Sequence, residues 1–247
     1  MLKVGVADYG IFVWEGGFYN FLEHLENIKN MGYDGVERLR PQNAQEAILQ
    51  AAHAKKIGAG FAMCQMASVE ETIRYTAALG GQYVWIQVKG GDFDDYCRQV
   101  NCMTKAANKY GLRVVLHNHL GTMVETQAEL EEFLARCPQT DLLLDTGHLA
   151  VAGGDVEYIA NTYFDRICAY HLKGWKKSET PDAEKWQERG HFCGLKQGDV
   201  FIDNHAVTKL ILKNHFDGWV FVEHDTHLRE PRLDLEESRA VLQDWGL

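Results

Sequence analysis

Eight short apolar runs, rich in β-branched and aromatic residues, recur along the chain, and an amphipathic segment separates each run from the next. The runs are nearly continuous in their apolar character, which is typical of parallel strands buried on both faces. They begin at Leu2, Gly35, Ile57, Tyr83, Leu112, Asp141, Arg166 and Trp219. Eight strands that alternate with eight helices predict a single (β/α)8 TIM barrel, a fold that takes roughly 250 residues.

The helical segments carry start and stop signals of their own. Apolar residues in segment 18–31 recur at spacings of three and four, and Gly32 follows as a residue suited to a left-handed C-cap. Further helices are predicted to start at Asn43, Ser68, Asp92, Glu125, Asp155, Asp203 and Asp234. No shift in composition interrupts the alternation, so we expect residues 1–247 to form one barrel domain.

One connection is much longer than the others. Residues 172–200, after the seventh predicted strand, are polar and contain Trp175 and Trp186 together with several glycines. Loops of this length in a compact domain are usually functional or disordered. The tryptophans and glycines favour an ordered lid over a floppy insertion.

The charge balance narrows the classes of partner. The chain has 25 basic and 35 acidic residues, a net charge of −10, which disfavours nucleic acid and anionic membranes as partners. No basic leader, no apolar run of about 18 residues and no Cys-x-x-Cys pair is visible in the sequence. We therefore expect a cytoplasmic protein with no membrane span. A homo-oligomer is possible, and the sequence does not decide the oligomeric state.

Four consecutive predicted strand ends carry a histidine or a carboxylate: His117, Asp145, His171 and Glu223. In a βα barrel the C-terminal ends of the strands form the active site, so these side chains should converge. Mixed imidazole and carboxylate ligands suit transition metals and disfavour Ca²⁺ and Mg²⁺. We predict a divalent metal site, with Mn²⁺ or Co²⁺ favoured and Zn²⁺ or Fe²⁺ as alternatives. Ordinary core or surface histidines are the competing interpretation.

Three further residues near these strand ends are candidates for proton transfer. His119 and Lys173 each follow a predicted ligand by two residues and share its face of the strand, and His148 follows another by three. Beside a dication, the pKa of Lys173 should be depressed, which would make it an acid or base near neutral pH. Support of the metal ligands is the alternative role for His119 and His148.

Glu37 ends the second predicted strand and is a candidate for hydrogen bonds to substrate hydroxyl groups. A salt bridge with Arg38 or Arg40 is the alternative interpretation of this glutamate.

Several of these segments resemble the xylose isomerase-like barrel superfamily of sugar phosphate isomerases and epimerases. Within it, the chain is similar to the inosose (2-keto-myo-inositol) dehydratase group. The resemblance lies in segments 116–126, 144–155, 171–173, 219–225 and 238–247. It implies a divalent metal at the four positions above, with glutamate commonest where this chain has His117.

The resemblance also bears on the reaction. Ketose 3-epimerases of the superfamily are thought to use two metal-bound glutamates, and this chain keeps only Glu223. At His119, His148 and Lys173 it resembles the 3-dehydroshikimate dehydratases of the superfamily. These residues imply a metal-dependent lyase that enolises a small polyhydroxy ketone, a sugar or cyclitol, and eliminates water. A sugar isomerase or ketose epimerase on the same metal centre is the alternative.

Two other classes are weaker. An apurinic endonuclease shares the fold but conflicts with the net charge of −10. A non-catalytic sugar-binding subunit would not need so many proton donors around one site.

Overall fold

The computed structural model describes residues 1–18, 20–199 and 201–247. Eight parallel strands in these residues form one sheet. They are β1 (Lys3–Ala7), β2 (Gly35–Leu39), β3 (Gly60–Cys64), β4 (Tyr83–Trp85), β5 (Arg113–His117), β6 (Asp141–Asp145), β7 (Ile167–Leu172) and β10 (Trp219–Glu223). Each predicted strand is therefore present. The third begins at Gly60 rather than at Ile57, because helix α3 extends through Ile57.

The strands are hydrogen-bonded in the order β3-β2-β1-β10-β7-β6-β5-β4. The two outer strands, β3 and β4, lie next to each other, and the backbone N–H of Gln82 donates to the carbonyl of Ala62 at 2.8 Å. The sheet thus curves back on itself into a nearly closed barrel. This confirms the predicted (β/α)8 barrel, with the C-terminal ends of all eight strands at one mouth.

Helices separate the strands. They are α1 (Tyr9–Trp14), α2 (Phe21–Asn30), α3 (Ala44–Ile57), α4 (Val69–Leu79), α5 (Phe93–Asn108), α6 (Gln127–Arg136), α7 (Thr146–Val151), α8 (Val156–Thr162), α9 (Trp186–Arg189), α10 (Asn204–Lys213) and α11 (Pro231–Asp244). None among the described residues is long and apolar enough to cross a membrane.

The helix starts follow from their capping residues. Asn43, Ser68 and Asp155 are N-caps whose side chains accept a backbone N–H of the first turn, as their sequence positions predicted. The prediction for the last helix was wrong by one turn, because α11 begins at Pro231 and Asp234 lies inside it. The six-residue helices α1 and α7 were not predicted, since two turns are too short to show a helical period.

The barrel interior changes from apolar to polar along its axis. At the N-terminal end, Trp219 and Phe221 of β10 stack with ring centroids 5.1 Å apart and fill the barrel with Tyr83 and Leu143. At the C-terminal end the same strand presents Glu223. The apolar half fixes the strands, and the polar half is the mouth in which the predicted site residues lie.

The long segment after β7 contains an antiparallel hairpin. Strands β8 (Gly174–Lys177) and β9 (Gly190–Cys193) pair with each other, and the short helix α9 lies between them. Trp175 and Phe192 of the hairpin pack with Leu120 in an apolar cluster beside the mouth of the barrel. Val200, the end of the predicted loop, lies outside the described residues.

Candidate active site

The four predicted metal ligands converge at the mouth of the barrel, and we call them the ligand cluster: His117, Asp145, His171 and Glu223. Their ligand atoms all lie within 4.8 Å of one another. His117 Nε2 is 3.1 Å from Asp145 Oδ2, and His171 Nδ1 is 2.8 Å from Glu223 Oε2. The cluster forms because β5, β6, β7 and β10 are neighbours in the sheet and each carries one of these residues at or next to its C-terminal end.

Asp145 is held in place by its own backbone surroundings. Its peptide N–H donates to Asn118 Oδ1 at 2.9 Å, and Asn118 Nδ2 donates to its carbonyl at 3.0 Å. Its Oδ1 accepts the backbone N–H of His148 at 2.8 Å and so caps α7. The other oxygen, Oδ2, is left to face the ligand cluster.

Glu37 contacts the ligand cluster from the opposite wall of the barrel. Its Oε1 accepts hydrogen bonds from Tyr83 Oη (2.8 Å) and Trp85 Nε1 (2.9 Å) and lies 3.2 Å from His171 Nε2. His171 therefore has a carboxylate on its Nε2 and points Nδ1 at the cluster, an arrangement that orients metal-binding histidines. The sequence did not indicate this contact, and substrate binding by Glu37 stays a prediction.

The salt-bridge alternative for Glu37 is also present in the structure. Arg38 Nε lies 3.7 Å from Glu37 Oε2, whereas Arg40 pairs with Asp8 through its Nε, 3.0 Å from Asp8 Oδ2.

Lys173 is fully buried and lies among three carboxylates. Its Nζ is 2.8 Å from Asp145 Oδ2, 2.7 Å from Glu223 Oε2 and 2.9 Å from Asp225 Oδ2. Burial lowers the pKa of Lys173, but the carboxylates outweigh it and raise this pKa well above its usual range. The expected depressed pKa is therefore not a property of the protein groups alone, which hold Lys173 as an ammonium ion.

Asp225 was missed in the sequence, although a signal existed. It follows the ligand Glu223 by two residues, the same spacing that identified Lys173 after His171. The side chain of Lys173 also packs closely against the backbone of Gly147. A Cβ added to Gly147 would lie 2.4 Å from Lys173 Cγ, so only glycine fits at that position without displacing the lysine.

The mouth of the barrel has an excess of negative charge. Four carboxylates (Glu37, Asp145, Glu223 and Asp225) face two permanent cations (Lys173 and Arg38), which leaves 2 − 4 = −2 when the histidines are neutral. Burial raises the pKa of Asp145, but the charge of Lys173 outweighs it and holds this pKa well below its usual range. Two imidazoles, two ionised carboxylates and this charge fit a divalent transition metal.

The peptide groups of Leu120 orient the two histidines beside the cluster. Its carbonyl oxygen lies 2.7 Å from His119 Nδ1, and its N–H donates to His148 Nδ1 at 3.4 Å. A carbonyl only accepts and an amide only donates, so Nδ1 carries a proton in His119 and a lone pair in His148. Burial lowers the pKa of His148 well below its usual range, so this ring is neutral with its proton on Nε2.

The hairpin after β7 lies over these histidines. The ring centroid of Trp186 is 6.5 Å from that of His119 and 6.2 Å from that of His148, and Phe192 is 4.5 Å from His148. Beside the cluster is a cavity of about 280 Å³. Its lining comprises Trp85, Ile86, Tyr96, Leu116, His117, His119 and Thr122. The structure thus brings all the predicted site residues to one covered mouth.

A family model described as a xylose isomerase-like TIM barrel matches residues 25–245. The chain belongs to the xylose isomerase-like TIM barrel family. This confirms the superfamily resemblance that the strand-end segments indicated.

Curated relatives named inosose dehydratase match about half of the chain. An inosose dehydratase of Lactiplantibacillus plantarum is 32% identical over 139 residues, which cover 53% of this chain and 46% of that protein. The chain thus spans about half the length of the curated relatives it matches.

Solved structures share the barrel along nearly its whole length. A probable 3-DHS dehydratase, AsbF, from Bacillus anthracis has a TM-score of 0.76 at 14% identity and 98% coverage of both chains. The IOLI protein, solved with a zinc atom, has a TM-score of 0.69 at 16% identity, with 99% of this chain and 96% of that chain covered. At these identities the likeness shows the fold alone.

Proposed function

We propose that the protein is a divalent-metal-dependent lyase that removes water from a small polyhydroxy ketone, a sugar or cyclitol, in the manner of an inosose dehydratase. The observation that carries the proposal is the placement of Lys173, His119 and His148 around the ligand cluster under the hairpin. The partial match to inosose dehydratases supports the choice of substrate class.

The ligand cluster would hold the metal, with His171 Nδ1 oriented by Glu37. When bound, a divalent cation acts as a Lewis acid on a carbonyl oxygen. The donor set favours Mn²⁺ or Co²⁺, with Zn²⁺ or Fe²⁺ as alternatives.

The two histidines would have different roles in the dehydration, because Leu120 gives them opposite tautomers. Removal of the proton beside the carbonyl needs a base, and His119 offers a lone pair at Nε2 when neutral. His148 offers Nε2–H and would hold a substrate oxygen by a hydrogen bond. General acid–base steps of this kind typically contribute about 10²–10⁴-fold to the rate.

Loss of the hydroxyl group as water needs a proton donor. Lys173 Nζ lies beside the ligand cluster and 2.9 Å from Asp225 Oδ2, so it is placed to give a proton to the leaving hydroxyl. The hairpin with Trp186 would keep bulk water away from the reacting groups.

The test is a substrate screen with metal-loaded protein, using inosose, keto sugars and dehydroshikimate. We expect a product that has lost the mass of one water molecule and that absorbs in the ultraviolet as an enone. A product of unchanged mass would replace the lyase by the alternative isomerase or epimerase. Protein without bound metal and without response to added metal would overturn the proposal.

A pair of lysine variants tests the role of the proton donor. Lys173→Met should lose at least about 100-fold in kcat, the lower bound for a general acid. Lys176→Met in the exposed end of β8 is the matched control and should keep wild-type activity. Full activity of Lys173→Met would remove this lysine from the mechanism.

A further inference from the structure

Arg38 is a buried cation at the mouth of the barrel. The residue is 5% exposed, and its guanidinium carbon lies 4.3 Å from the ring centroid of Trp85. Trp85 donates a hydrogen bond to Glu37, so Arg38 and Glu37 approach the same indole. The long side chain of Arg38 thus lies in the polar end of the barrel.

The guanidinium of Arg38 lacks the partners that a buried arginine needs. Among the described residues, no atom accepts a hydrogen bond from its Nε or Nη2. The nearest carboxylate oxygen, Glu37 Oε2, is 3.7 Å from Nε, beyond hydrogen-bond distance. Closing that gap would still leave Nη2 unpaired, and each buried unpaired donor costs about 1–3 kcal/mol.

Other arginines of the barrel show how such groups are normally satisfied. Arg113 Nε donates to Asp141 Oδ2 at 2.5 Å, and Arg166 Nη2 donates to the carbonyl oxygen of Cys137 at 3.0 Å. Within the described part of the chain, Arg166 keeps a buried Nε without a partner, but its Nη2 is bonded, whereas both Nε and Nη2 of Arg38 are unpaired. Two free donors at the polar mouth favour a binding role for Arg38.

Trp85 connects Arg38 to the ligand cluster. The indole ring centroid is 5.2 Å from that of His117 and 6.3 Å from that of His171, and Trp85 lines the 280 Å³ cavity. Arg38 and the ligand cluster thus lie against the same indole, and Arg38 is not part of the cavity lining. A substrate held by both would extend from the cavity past Trp85.

We propose that Arg38 binds an anionic oxygen group, a carboxylate or a phosphate ester, on the substrate of this site. The unpaired N–H groups of a guanidinium match two oxygens of such a group. Trp85 supports the cation from one face and leaves the in-plane donors to the ligand. The inference rests on the proposed function for the ketone end of the substrate, and it narrows the substrate to an acidic polyol ketone.

Binding measurements by calorimetry test this without turnover. The probes are inorganic phosphate and the matched set D-fructose, D-fructose 6-phosphate and 5-keto-D-gluconate, each titrated into wild-type and Arg38→Gln protein. We expect the two charged sugars to bind the wild type more tightly than fructose does. Arg38→Gln should weaken their binding about 10–100-fold, the range for a hydrogen bond to a charged group.

Two further variants control for folding and for general charge. Arg113→Gln removes an equal charge from the opposite end of the barrel and should leave the binding of every probe unchanged. Arg38→Lys keeps the positive charge but lacks the paired N–H donors of a guanidinium. It should therefore bind the charged sugars more tightly than Arg38→Gln and more weakly than the wild type. It also keeps the test decisive if Arg38→Gln fails to fold, which circular dichroism would show.

The outcomes separate this inference from the proposed function. Tighter binding of the phosphate ester than of the carboxylate assigns a phosphate site, and the reverse assigns a carboxylate site. Equal binding of charged and neutral probes to the wild type would overturn the inference and assign only water to Arg38, even if the lyase activity is found. Arg38-dependent binding of inorganic phosphate would uphold it even if the screen finds no dehydration.

Discussion

The described residues contain three close groups of histidines and carboxylates, and two of them, which meet at the end of β10, are built for different purposes. The ligand cluster contains Glu223. The next residue, His224, points the other way and joins His227 and Asp234, which together we call the closed cluster. Both groups place at least three ligand atoms within 4.8 Å of one another. By residue type alone, both qualify as metal sites.

The carboxylate of the closed cluster, Asp234, is saturated by protein donors. Asp234 Oδ1 accepts from Arg229 Nε at 2.6 Å and from Gln197 Nε2 at 2.5 Å, and its Oδ2 lies 2.9 Å from His227 Nδ1. Both oxygens are therefore used, and Arg229 offsets the charge. The cluster ties α11 to the segment that follows the hairpin.

The ligand cluster differs in origin and in charge. Its members come from four separate strands, whereas two of the three residues of the closed cluster lie in one loop. With the histidines neutral, as metal binding requires, its surroundings carry a charge of −2, which a dication would neutralise. Carboxylate charge that no protein cation offsets, more than the presence of histidine, therefore distinguishes a metal site from a structural network.

The largest predicted effect separates the clusters by metal affinity. Glu223→Gln removes a ligand and should lower the affinity for a divalent metal by more than about 100-fold, since even supporting residues contribute 10–100-fold. Asp234→Asn is the matched control and should bind metal like the wild type. Metal content after dialysis measures both, and an equal loss in the two variants would contradict the distinction.

A smaller effect is expected from the residue behind His171. Glu37→Gln keeps the size of the side chain but removes the charge that orients the imidazole, so metal affinity should fall about 10–100-fold. Titration with a competing chelator measures the change. Unchanged affinity would show that His171 is oriented by the ligand cluster alone.

The closed cluster should be more important for stability than for metal binding. Asp234→Asn leaves Arg229 and His227 without their charged acceptor, and we expect the free energy of unfolding to fall by about 1–3 kcal/mol. Urea denaturation measures the difference. A variant as stable as the wild type would show that the network is not needed to hold α11.

The smallest effect is a pH dependence of that same difference. Burial raises the pKa of Asp234, but its hydrogen bonds from His227, Arg229 and Gln197 outweigh it and hold the pKa below its usual value. The unfolded chain therefore takes up the proton first, below about pH 4. The stability gap between wild type and Asp234→Asn should be full above that pH and shrink as the pH falls through the lowered pKa. A gap that stays constant down to pH 3 would contradict the shift.

Much of the fold is encoded locally and could be predicted. The N-caps Asn43 and Ser68 lie at helix starts because their side chains satisfy free backbone donors within the same turn. The ligand cluster was predictable for a similar reason, since position at a strand end decides where a residue lies in a barrel.

Contacts across the barrel could not be predicted in the same way. Glu37 on β2 meets His171 on β7, and Trp85 on β4 meets Arg38 on β2. These pairs depend on strand tilt and register, which no local pattern in the sequence reports. The surroundings of Lys173 were not predictable for this reason, because three carboxylates from two other strand ends surround it.

The peptide groups of Leu120 have one more consequence. They set the tautomers of the two imidazoles through backbone atoms, and every residue except proline has both a backbone N–H and a carbonyl group. A different side chain at this position would therefore leave the two tautomers unchanged. A comparison of sequences would register only a tolerant apolar position, although the link at residue 120 couples any movement of one histidine to the other.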